Sequence, residues 1–177
     1  MLDTLITSKL RVKLLTRFFL NPEVRSWLRG LESEFGVSSN AVRQELNRLE
    51  EADIIRSEEA GNRKLFKVND THPLFEDVRR IVLKTVGIEQ VVENVLRRLG
   101  NLKKVYLTGA LARGIDAPEI ELYIIGDVDR TYLSRLTEKA ERMIGKTIRT
   151  AVFTPEEWDP GLIADQTKLN IYDAVWK

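Results

Sequence analysis

The stretch Gly109–Gly126, GALARGIDAPEIELYIIG, decides how this chain is read. The apolar residues Val105-Tyr106-Leu107 run into Gly109, a short segment ends at Ala112-Arg113-Gly114, and Pro118-Glu119-Ile120-Glu121-Leu122 opens a second apolar run. Residues two apart on a strand point to the same face, so Glu119 and Glu121 present their carboxylates side by side. Two carboxylates beside a glycine turn that can admit a phosphate suggest a metal-nucleotide site.

Around this stretch the pattern is that of an α/β half. Lys104–Thr108 and Ile120–Ile125 read as strands. Leu133, Leu136, Ala140, Met143 and Ile144 keep one face of a helix between Asp129 and Gly145, and Ile148–Phe153 alternates as a third strand. Ala140 to Gly145-Lys146-Thr147 fits a loose phosphate-loop pattern. That loop needs a strand before it and a helix after it, whereas here a helix precedes and a strand follows, so Gly145 is read as a helix C-cap. Thr154-Pro155-Glu156-Glu157-Trp158 reads as the start of a short helix with proline in its first turn. Beyond Pro160, Leu169–Tyr172 fits strand or helix, and Trp176 suggests docking on the body or on a partner chain.

Upstream, Ile6, Leu10, Leu14 and Phe18 recur every four residues and predict a helix ending before Asn21-Pro22. The breadth of its apolar face leaves two readings, burial within its own domain or in part against a second chain. Trp27-Leu28 reads as a short strand, Arg29–Phe35 as a helix and Gly36-Val37-Ser38 as a tight turn. Ser38 then caps a helix running to about Glu51 or Ala52. On that helix Val42, Leu46 and Leu49 share one face, and Asn40, Arg43, Gln44, Asn47 and Glu51 share the other. Ile54–Glu58 and Lys64–Val68 read as strands joined by Ala60-Gly61-Asn62-Arg63. The order is that of a winged helix-turn-helix, whose third helix enters the major groove and whose hairpin tip reaches phosphate or the minor groove. Arginine reads guanine edges and Asn or Gln reads adenine edges. The expected DNA-contacting set is therefore Ser38, Asn40, Arg43, Gln44, Asn47 and Arg48 on the helix, with Arg63 and Lys64 at the hairpin tip. The alternative for the helix face is an ordinary solvated surface. Residues 1–70 hold 12 Lys/Arg against 11 Asp/Glu, a net of +1, and Glu58 and Glu59 sit on the wing strand.

The segment from Val24 to Phe75 resembles the ArsR-type winged helix of bacterial and archaeal transcriptional regulators. The shared frame is Gly36, Leu46-x-x-Leu49-Glu50, Gly61-Asn62-Arg63 and Asn69-x-x-His72-Pro73-Leu74. Asp53 stands where that family usually has glycine.

Between the halves, Leu74, Val78, Ile81 and Val82 predict a helix reaching Gly87, and Val91, Val92, Val95, Leu96 and Leu99 another ended by Gly100-Asn101. His72, beside a proline at a helix start, is read as structural. With no Gly/Ser-rich linker, the connection is expected to be packed helices.

The second half resembles the minimal nucleotidyltransferase domain. That family carries Gly-Ser-x-Ala-Arg-Gly and then Ser-Asp-x-Asp-Leu, and this chain has Gly109-Ala110-Leu111-Ala112-Arg113-Gly114 and Pro118-Glu119-Ile120-Glu121-Leu122. The resemblance implies that Gly109, Ala110 and Arg113 stand at nucleotide-binding positions and Glu119 and Glu121 at metal-binding positions. The departures point to a lost activity. Ala110 lacks the phosphate-binding hydroxyl. Each glutamate moves its oxygens outward by more than about 1 Å, roughly a C–C bond, whereas magnesium demands near-ideal octahedral geometry. The third acid expected on Thr147–Val152 is missing, and Arg149 there would repel a cation. Arg113 is read as structural, paired with an acid such as Asp116 or Glu119.

Composition bounds the rest. The 177 residues suit one domain or two small ones, and 43% apolar with 31% charged content suits a globular chain. A net charge of +1 means that any DNA-binding surface is local. With no cysteine and one histidine, disulfides, thiolate zinc sites, cysteine nucleophiles and multi-histidine metal sites are excluded. No apolar run reaches the ~20 residues that span a bilayer, and the opening MLDTLITSKLRVK lacks the order of a signal peptide, so the cytoplasm is the expected compartment.

The expected fold is α+β, with a winged helix over 1–71, connector helices over 72–100 and a nucleotidyltransferase-like α/β domain over 101–177. The expected function is a homodimeric DNA-binding transcriptional regulator that binds double-stranded DNA, with an inactive second domain (a pseudoenzyme) and no cofactor. A nucleotide effector is a partner in keeping with that domain. The alternatives are an active magnesium-dependent nucleotidyltransferase and a protein–protein interaction module.

Overall fold

A computed structural model describes residues 2–174 of the chain, so the expected docking of Trp176 lies outside the described residues. The chain is mixed α and β, with two separate sheets, and packs as two compact units, residues 1–82 and 83–177.

The first unit opens with one helical turn, α1 (Leu2–Leu5), and a helix α2 (Lys9–Leu20). The helix expected to run on from Ile6 restarts at Lys9, because Ser8 adopts an extended backbone and its hydroxyl accepts from Arg11 N–H at 3.1 Å. A two-residue strand β1 (Ser26–Trp27) precedes α3 (Leu28–Phe35), which Gly36 closes at φ 64°. Helix α4 (Ser39–Glu51) follows, capped by the Ser38 hydroxyl on Ala41 N–H at 3.3 Å. Strands β2 (Ile55–Ala60) and β3 (Arg63–Val68) form an antiparallel hairpin in register Ile55↔Val68 to Ala60↔Arg63, and Gly61 at φ 63° turns its tip. Strand β1 pairs on the far side of β3, giving the order β1-β3-β2.

The apolar periodicity explains the packing. Leu14, Phe18 and Leu20 of α2, Leu31 of α3 and Val42 and Leu46 of α4 have no exposed surface, and Ile55, Phe66 and Val68 close the core from the hairpin. Asp53, standing where glycine was expected, adopts the left-handed backbone at φ 54°. Aspartate tolerates that region better than most side chains. The Asp53 carbonyl is held by the Asn69 amide at 2.8 Å, and Asn69 N–H donates to the Ile54 carbonyl at 2.9 Å. The turn from helix to wing is thereby tied to the chain leaving the wing.

Helix α5 (Phe75–Val86) runs across the division between the units. Gly87 at φ 90° ends it and starts α6 (Ile88–Asn94), and a 3₁₀ turn (Leu96–Arg98) completes what was expected as one helix up to Gly100.

The second unit is a four-stranded sheet in the order β6-β5-β4-β7. Strand β4 (Leu102–Thr108) leads through one helical turn, α7 (Gly109–Ala112), into the antiparallel β5 (Glu119–Gly126). Helix α8 (Arg130–Ile144) then crosses over to β6 (Thr147–Phe153), which lies parallel to β5. Asp129 caps α8 on the N–H groups of Thr131 and Tyr132, and Gly145 closes it at φ 68°. Lys146 following that glycine pairs with Asp116, so the Gly145-Lys146 dipeptide is a helix end rather than a phosphate loop. Alternation along β5 buries Ile120, Leu122 and Ile124 with Leu133, Leu136 and Ala140 of α8, and leaves Glu119, Glu121 and Tyr123 half-buried on the opposite face.

The helix expected from Thr154 to Trp158 forms only as a turn. Thr154 and Glu157 exchange side-chain-to-backbone bonds at 3.0 and 3.3 Å, and Trp158 leaves the turn to pack on Tyr106, Tyr123 and Phe153 with centroids 5.6–6.3 Å apart. Burial of that ring against the sheet outweighs another helical turn, and Pro160 disfavours helical backbone at Asp159. A 3₁₀ turn (Pro160–Ile163) follows, and Leu169–Asp173 is a strand, β7, antiparallel to β4.

Candidate functional site

Two places carry the residues singled out in the sequence, one in each unit. In the first, α4 and the β2–β3 hairpin border a groove of about 580 Å³. Its walls include Arg43 and Asn47 from α4, Asn62, Arg63 and Lys64 from the hairpin, and Trp27 and Arg29 from the start of α3. The apolar face of α4 is buried in the core, which turns Arg43 and Asn47 outward. Of the expected contact set, Arg43, Asn47, Arg63 and Lys64 thus converge on the groove. Asn40, Gln44 and Arg48 are exposed on α4 but are not part of its walls, and Ser38 is committed as the helix cap.

The charges around the groove differ in how far they are neutralised. Lys64 is bound to Glu50 at 2.9 Å, and Glu50 also accepts from the Ser57 hydroxyl. Those two donors, serine first and then lysine, hold the Glu50 carboxyl below the ordinary carboxylate range. Arg48 bonds to Glu45 at 3.4 Å. On the wing, Glu58 is flanked by Arg25 at 2.8 Å and Lys67 at 3.2 Å, which offsets its negative charge. Arg63 lies over the Trp27 ring, 5.1 Å from its centroid. Arg29 and Arg43 make no ion pair among the described residues.

Sequence reasoning missed Trp27, Arg29 and Asn62 as groove residues, and it missed Glu45. Helical phase puts Glu45 between the two faces of α4, and it is only 8% exposed. It accepts from Ser8 Oγ at 3.2 Å and Arg11 Nε at 2.9 Å, which ties α4 to the start of α2. Burial raises its pKa, and Arg11, Ser8 and Arg48 together outweigh that, so its carboxyl titrates below the ordinary value. The spacing of Arg11 and Glu45 in the chain carries no trace of this pair.

The second place is the glycine turn between β4 and β5. The β4–β5–β6 register sets Thr108, Glu121 and Arg149 in one row across the sheet. Gly109 has φ 69°, and a Cβ built on it would lie 2.1 Å from Glu121 Oε1. The Glu121 carboxylate therefore occupies the space that the glycine leaves open. Glu119 is bound to the Arg149 guanidinium at 2.6 Å, and Asp116 to Lys146. Arg113 is exposed at the end of α7, and Ala110 lies in its first turn with its carbonyl accepting from Arg113 and Ile115 N–H. The Thr108 hydroxyl is buried with no hydrogen-bond partner among the described residues.

The Glu121 carboxylate lies against the glycine turn, the Arg149 guanidinium neutralises Glu119, and no cluster of three metal-ligating side chains exists among the described residues.

No protein-family model matches the chain, and no curated protein matches it. Among solved structures it is similar to reduced HlyU from Vibrio cholerae N16961, at 15% identity and TM-score 0.36, over 52% of this chain and 82% of that one. It is also similar to the toxin-antitoxin MntA-HpeT, at 11% identity and TM-score 0.38, over 49% and 72% of the two chains. The tri-AMPylated Shewanella oneidensis HEPN toxin in complex with MNT antitoxin matches at 10% identity and TM-score 0.37, over 52% and 74%. Each likeness is partial, and covers about half of this chain.

Proposed function

We propose that the chain is a DNA-binding transcriptional regulator, acting as a homodimer on double-stranded DNA, whose second unit is a nucleotidyltransferase-like fold without transferase activity. The observation that carries the reading is the groove between α4 and the hairpin, lined by Arg29, Arg43, Asn47, Asn62 and Arg63. Arginine and asparagine on one exposed helix face are the side chains that read guanine and adenine edges. Two flanking guanidiniums beside them suit phosphate contacts. Support for lost catalysis comes from the Glu119–Arg149 pair and from the Glu121 carboxylate seated on Gly109.

Gel shifts with genomic fragments of the source organism, run across a salt series, test the regulator. Duplex binding that weakens with salt is the expected result, and no salt-sensitive binding to any fragment rejects the reading. Incubation with labelled nucleotide and magnesium or manganese tests the second unit. Label transfer abolished by Glu119→Gln and Glu121→Gln would replace this reading with that of an active transferase.

A further inference from the structure

We infer that Trp27 is a positioning residue that holds the Arg63 guanidinium in the groove for a DNA phosphate, an inference that rests on the DNA-binding reading above. Trp27 is 40% exposed, which is unusual for so large an apolar ring and asks for a reason outside the core. It stands on the two-residue strand β1, paired with Leu65 of β3, and its backbone opens α3 without capping the helix through its side chain. The indole is seated against Gly30, where a Cβ would come within 3.0 Å of Trp27 Cε2 and 3.3 Å of two further ring atoms. Arg63 is the first residue of β3 after the hairpin tip, with its guanidinium carbon 5.1 Å from the ring centroid. An arginine at a hairpin tip otherwise samples many rotamers and loses that freedom on binding. A cation–π contact with a fixed ring orders it in advance, and a guanidinium held over a ring face keeps N–H donors free to bond a phosphate. Lys64, the neighbouring cation, is tied to Glu50, so Arg63 is the hairpin charge left to meet the backbone.

Phosphate contacts are independent of sequence, so the probe is a fluorescein-labelled mixed-sequence duplex of about 30 base pairs, titrated by anisotropy between about 50 and 200 mM salt. Arg63→Ala is expected to lower the log–log salt slope by about 0.9, the value of one phosphate contact. Trp27→Ala is expected to weaken binding roughly 2- to 5-fold, the size of an exposed cation–π pair, and Trp27→Phe to keep most of the affinity. The double variant should bind no more weakly than Arg63→Ala alone. Gly30→Ala is the opposed control. It favours the helix, because alanine outranks glycine there, and it makes the ring give by a few tenths of an ångström, so at most a small loss of binding is expected. If Trp27→Ala does not fold, Arg63→Lys decides instead, since lysine keeps the charge and makes a weaker contact with the indole face. Multiplicative losses in the double variant, unchanged binding by Trp27→Ala, or full replacement of Arg63 by lysine would overturn the positioning role while leaving the DNA-binding reading intact. A wild-type chain that does not bind the duplex at low salt overturns both.

Discussion

The carboxylate of Glu121 rests on the Cα of Gly109, so close that a methyl group on the glycine would meet Oε1 at 2.1 Å. Glycine is favoured there chiefly by φ 69°, with the flexible end of the acid above it as a smaller constraint. Gly109→Ala is expected to lower stability in urea unfolding by about 1–2 kcal/mol, mainly as left-handed backbone strain, because the carboxylate end of Glu121 can swing away. In a Glu121→Ala background that strain should remain and the additional contact cost should vanish. A cost that disappears entirely there would show that the backbone is unstrained.

Arg149 stands in register with Glu121 and neutralises Glu119 from the neighbouring strand. The pair is exposed, so Arg149→Ala should change stability by no more than about 1 kcal/mol. Its removal matters for cation binding instead. Arg149→Asp is expected to produce a manganese-dependent rise in Tm that the wild-type chain lacks, since a ligand bound only by the folded state stabilises it by mass action. An equal rise in the wild-type chain would show that Glu119 and Glu121 still bind metal.

Glu50 links the end of α4 to the wing through Ser57 and Lys64. Its carboxyl titrates below the ordinary value of 4.5, with the serine and lysine donors as cause. A carboxylate whose folded pKa is depressed contributes stability above its unfolded pKa and loses it as pH falls through the folded value. Glu50→Gln should therefore destabilise the chain at pH 7, and the difference from wild type should fade below about pH 4. The same substitution frees Lys64. On a mixed-sequence duplex it should steepen the salt dependence by about one phosphate contact, so that a less stable protein binds DNA more tightly. Weaker binding would mean that Lys64 stays out of the interface.

Asp53 pairs a left-handed backbone with an exposed bond to Arg56 at 3.3 Å. Asp53→Ala is expected to cost about 1 kcal/mol, and Asp53→Gly to recover most of it, because glycine removes the strain while the exposed ion pair is worth little. Thermal melts of the three proteins check the order.

Arg43 makes no ion pair among the described residues and faces the groove. Arg43→Ala should weaken binding to a cognate fragment by about 1–3 kcal/mol, and Asn47→Ala by a similar amount, with a smaller loss on mixed-sequence DNA. Equal losses on both would make these phosphate contacts rather than base contacts.

Much of the fold was legible because its signals are local. The period-four stripe on α2, Ser38 before α4, Gly61 between alternating strands and the caps Asp129 and Gly145 around α8 each act within a few residues of themselves. The failures came from a distant contact in one case and from a competing local cap in the other. Thr154–Trp158 has the composition of a helix start, but the ring of Trp158 gains more by packing on Tyr106 and Phe153. Ile6 fits the stripe of α2, but the Ser8 cap starts the helix beyond it.

The candidate sites divide in the same way. Sequence alone determined that Arg43 and Asn47 share an exposed helix face, that Glu119 and Glu121 share a strand face, and that a carboxylate is missing from Thr147–Val152. Only the tertiary structure decided what those groups meet. Arg149 comes to Glu119 because β6 lies parallel to β5, Glu121 comes to Gly109 through the β4–β5 register, and Trp27 comes to Arg63 because a two-residue strand joins the hairpin. Periodicity records the direction in which a side chain points, whereas pairing between strands distant in sequence fixes its neighbour, and that neighbour sets its charge and its chemistry.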